Sequence, residues 1–112
     1  MICDFKGIQN TNLLNNMREL KNKLKQICKK HDFQILQETE HQFTPQGCSI
    51  LFLLSESHLS IHTFPEKNHM SFDIYTCRQY NNNNEYNKIY QYLLTELEAS
   101  DKSICQILDR YF

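Results

Sequence analysis

The stretch "CSILFLLSESHLSIHTF", Cys48 to Phe64, decides the architecture. Its first half, "CSILFLLS", is a continuous apolar run too short for a helix of ordinary length, and it reads as a buried strand. Its second half, "HLSIHTF", alternates apolar and polar residues with the period of a half-buried strand. Only Glu56 and Ser57 separate the two, so they predict a tight antiparallel pair. The same segment concentrates Ser55, Glu56, Ser57, His58, Ser60 and His62 beside the most hydrophobic residues of the chain, with Glu66 two positions beyond it.

The flanking elements follow from periodicity. "HMSFDIYTC" (69–77) alternates, with Phe72 and Ile74 on one face and Ser71, Asp73, Tyr75 and Cys77 on the other. "FQILQETEHQF" (33–43) is a further strand, turned into the next by "PQG" at 45–47. "MICDF" and "SICQILDRYF" supply a first and a last strand. Leu13, Met17, Leu20, Leu24, Ile27 and Cys28 recur at helical spacing and predict one helix over 12–30, closed by Lys29 and Lys30 at its negative end. Tyr86, Ile89, Tyr90, Leu93 and Leu97 mark a second helix. The polar run "NNNNE" (81–85) precedes it, with asparagines as candidate N-caps. The order β-α-β-β-β-β-α-β with short connections implies an α+β two-layer sandwich. An antiparallel sheet carries two helices on one face, and the partly bare second face suits dimerisation.

Composition bounds the function. At 112 residues, with 40% of them hydrophobic, the chain reads as a single domain with a modest core. A net charge of -1 provides no single-sign field to grip nucleic acid or an acidic membrane. No apolar run approaches a membrane span, and "MICDFKGIQN" does not read as a secretory leader, so the expected location is cytoplasmic. The five cysteines include no C-x-x-C pair and read as free thiols of a reducing compartment, with no metal site expected.

The residues of the hairpin alone leave several readings open. Ser-Glu-Ser could be a plain turn and each histidine an ordinary polar strand residue. His58 and His62 could ligate a metal with Glu56 or Glu66, but four residues of strand separate them by roughly 13 Å. A Ser-His-Asp hydrolase would require a nucleophile elbow, and no G-x-S-x-G occurs.

The longer string "SESHLSIHTFPE" followed by "FDIYTC" resembles the small prokaryotic class of S-adenosylmethionine decarboxylase. The likeness is strongest over 43–77 and looser onward through the helices. That resemblance implies a proenzyme that cuts itself between Glu56 and Ser57 into a β chain, 1–56, and an α chain, 57–112. Ser57 becomes a pyruvoyl group, the covalent cofactor, which forms a Schiff base with the substrate's amino group and acts as an electron sink. By the same resemblance His62 is the processing base, Ser49 its helper and Cys77 the proton donor to the substrate carbon. Glu66 holds the ribose hydroxyls, Phe43 stacks on the adenine, and His58 lines the site. The implied substrate is S-adenosylmethionine, decarboxylated for spermidine synthesis. The implied assembly is a homodimer of cleaved protomers with its sites at the interface.

Four features depart from the family pattern. Arg78 follows Cys77 where glycine is usual, and Phe64 precedes Pro65 where tryptophan is common. "NNNNEYN" stands where Asp-Pro is frequent, and the chain begins almost at its first strand, where relatives carry a further segment. These bear on the substrate and leave two alternatives, the same machinery acting on arginine or ornithine, and a non-catalytic regulatory paralogue.

Overall fold

The computed structural model describes residues 1–110. Six strands form one sheet: β1 (Ile2–Phe5), β2 (Ile35–Gln42), β3 (Cys48–Leu54), β4 (Ser57–Phe64), β5 (His69–Thr76) and β6 (Ile104–Gln106). Their spatial order is β2-β3-β4-β5-β1-β6, and every neighbouring pair is antiparallel. The anticipated β3–β4 hairpin is present, with Leu54 opposite Ser57 across the two-residue turn Ser55–Glu56. β1, from the first half of the chain, is inserted between β5 and β6 of the second half.

The helical layer differs from expectation in one respect. The single helix predicted over 12–30 is two, α1 (Thr11–Leu14) and α2 (Met17–Lys30). The break falls at Asn15–Asn16, where the Asn16 side chain accepts a hydrogen bond from the Glu19 N–H and restarts the helix. Asparagine competes for backbone donors in this way, and the N-x-x-E spacing was the available signal. Before α3 (Asn84–Leu97), Asn82 rather than the N-cap Asn83 supplies the side-chain contact, accepting from Asn84 N–H at 2.9 Å. The final strand is also shorter than "SICQILDRYF" suggested. It spans Ile104–Gln106, and positions 111–112 of that stretch lie outside the described residues.

Strand alternation places the core on one face. Ile50, Phe52, Leu54, Leu59, Ile61, Met70, Phe72 and Ile74 are buried with Leu20, Leu24 and Ile27 of α2 and Ile89, Leu93 and Leu97 of α3. The opposite face keeps Leu51 and Leu53 of β3, Ile2 of β1 and Ile104 of β6 exposed, with 43–52% of their surface open. Among the described residues no helix is long and apolar enough to cross a membrane.

Candidate active site

The β3–β4 hairpin and the end of β5 carry the candidate residues Ser49, Ser57, His58, His62 and Cys77. Ser57 opens β4 opposite Thr76, so Cys77, one residue past β5, lies beside the turn. The Cys77 N–H donates to the carbonyl oxygen of Glu56 at 3.0 Å. Ser57 has φ 155°, a backbone region that residues with a side chain seldom occupy unless the surroundings impose it. An outlier thus sits on the peptide bond that follows Glu56. The Ser55 N–H donates to Gln34 O at 3.0 Å and ties down the other side of the turn.

His62 and Ser49 form the second cluster. They face each other in register on β4 and β3, and Ser49 Oγ lies 2.6 Å from His62 Nδ1. Both project from the sheet face opposite the helices, as does His58. His62 stands five residues beyond Ser57 on the same strand, however, and extended chain rises about 3.3 Å per residue. The two side chains are therefore roughly 16 Å apart along the sheet. The structure pairs Ser49 with His62 and Glu56 with Cys77, but does not bring the two pairs together within one chain.

Glu66 and Phe43 belong to the His62 end of the molecule. Glu66 lies in a single 3-10 turn (Pro65–Lys67) directly after β4. Phe43 is exposed in the β2–β3 loop, edge-on to His41 with ring centroids 4.6 Å apart. Gly47 closes that loop against the end of β4. Its φ of +92° favours glycine, and a Cβ there would stand 3.1 Å from Thr63 O. Phe43 and Glu66 thus share one end of the sheet, away from Ser57.

Cys77 is exposed and Cys105 half-buried, whereas Cys3, Cys28 and Cys48 are buried. It borders a cavity of about 630 Å³ whose lining includes His58, Tyr75, Arg78, Tyr80 and Tyr86. Tyr86 Oη and Thr76 Oγ1 are 2.8 Å apart, and burial raises the Tyr80 pKa. Among the described residues, no group of three His, Cys, Asp or Glu side chains is arranged to hold a metal ion.

Sequence reasoning gave Arg78 no role beyond a departure from pattern. In the structure its guanidinium grips the Glu56 carboxylate through Nε and Nη2, with Nε to Oε2 at 2.6 Å. The carboxylate raises the arginine pKa further. A cation one residue after Cys77 and a carboxylate at the turn were visible in the sequence, but nothing in their 22-residue separation paired them.

Residues 1–110 match the S-adenosylmethionine decarboxylase family. The chain is 43% identical over 74 residues to the S-adenosylmethionine decarboxylase proenzyme of Brevibacillus brevis, covering 66% of this chain and 55% of that protein. It is 42% identical over 77 residues to proenzyme 2 of Bacillus cereus, covering 69% of this chain and 62% of the relative. These matches thus span less than two thirds of the relatives' length. With the proenzyme of Clostridium botulinum strain Loch Maree the match is longer, 34% identity over 106 residues, 95% of this chain and 84% of the other. The crystal structure of the adenosylmethionine decarboxylase from Aquifex aeolicus superposes with a TM-score of 0.79 over 99% of this chain and 92% of that one. At 23% identity that likeness speaks for the fold.

Proposed function

The chain belongs to the S-adenosylmethionine decarboxylase family, and from that premise we propose that it is a self-cleaving decarboxylase of S-adenosylmethionine, with Ser57 as the source of a pyruvoyl group. The observation that carries the reading is the Cys77 N–H on the Glu56 carbonyl. A backbone donor there meets the oxygen on which charge builds when a hydroxyl adds to that carbonyl.

Cleavage proceeds in balanced steps. Ser57 Oγ adds to the Glu56 carbonyl carbon, the Glu56–Ser57 C–N bond breaks, and the hydroxyl proton ends on the Ser57 nitrogen. A base then takes the Ser57 α-proton. The Cβ–Oγ bond breaks, its electron pair leaves with the Glu56 α-carboxylate, and dehydroalanine remains at position 57. Water replaces ammonia and completes the pyruvoyl group. The base suits a histidine, because imidazole titrates near neutrality. His62, oriented by Ser49, takes that role.

The separation of His62 from Ser57 supports a composite site. A homodimer formed through the sheet faces would set the partner's Ser49–His62 pair, with the partner's Phe43 and Glu66, against Ser57 and Cys77 of this chain. Exposed Leu51 and Leu53 provide apolar surface for that contact. The two products of one cut, 1–56 and 57–112, would stay joined because β1 lies between β5 and β6 and β3 pairs with β4.

The residues at position 57 fit the group. It would open β4 beside the 630 Å³ cavity, next to Cys77 and His58. When present, the pyruvoyl carbonyl supplies the electron-withdrawing centre that accepts the pair left by departing carbon dioxide. Cys77 then delivers a proton to the substrate carbon from an exposed thiol. Phe43 stacks on the adenine and Glu66 accepts from the ribose hydroxyls.

A second reading keeps the cleavage and changes the substrate. Asp73 and Asp109 also border the cavity, the kind of group that would receive the distal cation of arginine or ornithine.

Intact mass under denaturing conditions tests the cleavage. The expected result is two chains parted after Glu56, the second lighter by one ammonia than a hydrolysed fragment. A single full-length chain after long incubation refutes self-cleavage. Carbon dioxide release from carboxyl-labelled S-adenosylmethionine, arginine and ornithine then decides the substrate.

A further inference from the structure

Every N–H of the Arg78 guanidinium meets an acceptor. Nε and Nη2 hold the two oxygens of Glu56. Nη1 donates to His31 O at 2.6 Å and to Tyr80 Oη at 3.3 Å, and Nη2 also donates to Asp32 O at 2.8 Å. The guanidinium carbon stands 4.7 Å from the Phe33 ring centre. His31 caps α2, so the carbonyls Arg78 takes lie at the negative end of that helix, where a cation is favoured and acceptors lack partners. The arginine is thus bolted to the helix end and carries Glu56 on its remaining donors.

The adjacent residue completes the arrangement. Cys77 holds the Glu56 backbone carbonyl, and Arg78 holds the Glu56 side chain. Consecutive residues therefore fix both ends of the residue whose carbonyl is attacked. A planar fork suits this, since two parallel bonds define the direction of a carboxylate as well as its position. Lysine, a single rotating ammonium, could not satisfy the helix carbonyls and both carboxylate oxygens together.

We propose that Arg78 is a positioning residue for self-cleavage, a role that rests on the proposed cut at Glu56–Ser57: it pins the Glu56 side chain so that the Glu56 carbonyl stays on the Cys77 N–H. The pairing has a second consequence. Elimination releases a new α-carboxylate on Glu56, and neutralising the side-chain carboxylate removes a like charge from beside it. After the cut the same bonds keep the end of the first chain seated on the second.

The test follows cleavage of the full chain in time by intact mass after cell-free synthesis, for wild type, R78A and R78K. Circular dichroism and thermal melting establish that each variant folds. Loss of alignment at a reacting carbonyl predicts cleavage about 10- to 100-fold slower in both variants. Methylguanidinium added to R78A should recover part of the rate, which a merely structural defect would not allow. In chains already cut, carboxypeptidase should trim Glu56 faster from R78K than from wild type. If R78A does not fold, R78K decides the matter with the same readouts. Folded R78K that cleaves at the wild-type rate, with Glu56 equally protected, overturns the inference while self-cleavage stands. Wild type that remains whole overturns the proposed cleavage, and the inference with it.

Discussion

The amide of Cys77 and the carbonyl of Glu56 are joined by a 3.0 Å hydrogen bond, although 21 positions of chain separate them. One residue thereby offers two groups with separable tasks under the proposed reading, a backbone N–H at the Glu56 carbonyl and a thiol at the cavity. C77A and C77S should therefore still cleave into two chains, because the backbone donor remains. Both should lose carbon dioxide release by roughly two orders of magnitude or more, in the range of a missing acid. Mass spectrometry and the labelled-substrate assay read the two effects separately. Failure of C77A to cleave would assign the thiol to the first step.

The roughly 16 Å between His62 and Ser57 on one strand makes complementation the natural experiment for the proposed composite site. S57A alone and H62A alone should remain uncut. Co-expressed, they should form mixed dimers in which the H62A chain is cleaved, using His62 of its S57A partner. Distinguishable tags show by mass which chain was cut. No cleavage in a mixed dimer confirmed by pull-down would end the composite-site reading.

Thiol chemistry should be ordered by burial. Burial pushes the Cys28 thiol up to about 11 and raises those of Cys3 and Cys48 as well. Since the thiolate is the nucleophile, these should resist iodoacetamide at pH 8 in the folded protein. Exposed Cys77 should be alkylated before any of the three. Peptide mapping over a short time course reads the order, and bound substrate should slow Cys77 alone.

In the core, Phe72 is fully buried and meets Phe5 edge-on, with ring centres 6.5 Å apart. F72A should cost about 3–5 kcal/mol of stability from lost burial and the cavity left behind. Urea unfolding measures this best on an S57A background, where one uncut chain keeps the transition simple.

Two carboxylates, half-buried Glu85 and exposed Glu38, should shape the acid limb of stability. The Glu85 pKa is lowered chiefly by its hydrogen bond to His31, and that of Glu38 chiefly by Lys25. Their folded values lie below the unfolded ones, so each contributes stability above about pH 4.5, lost as pH falls through the folded value. The E38Q/E85Q double variant should be slightly less stable at neutral pH and should decline less steeply below pH 4.5. Melting temperatures from pH 3 to 7 would show it, and parallel curves would contradict it.

Much of this molecule was legible from residue order because local patterns carried it. Alternation in 58–64 and 69–76 set which side chains face the helices, and a two-residue turn set the β3–β4 register. The clustering of Ser57, His62 and Cys77 in one motif marked the candidate chemistry. The division of the first helix went unread because Leu13, Met17 and Leu20 keep helical spacing across Asn15–Asn16, and spacing does not register a competing side-chain bond.

What the sequence determined by itself was thus the set of candidate groups and the face of the sheet each strand turns to the helices, since strand period and turn length act over a few residues. The tertiary structure alone decided the rest. It inserted β1 between β5 and β6, set the Cys77 N–H on the Glu56 carbonyl, and closed Arg78 onto Glu56 and the end of α2. Those relationships depend on distances between segments remote in the chain. They exist only once burial of one sheet face has set helices and strands in place, and no local pattern encodes them.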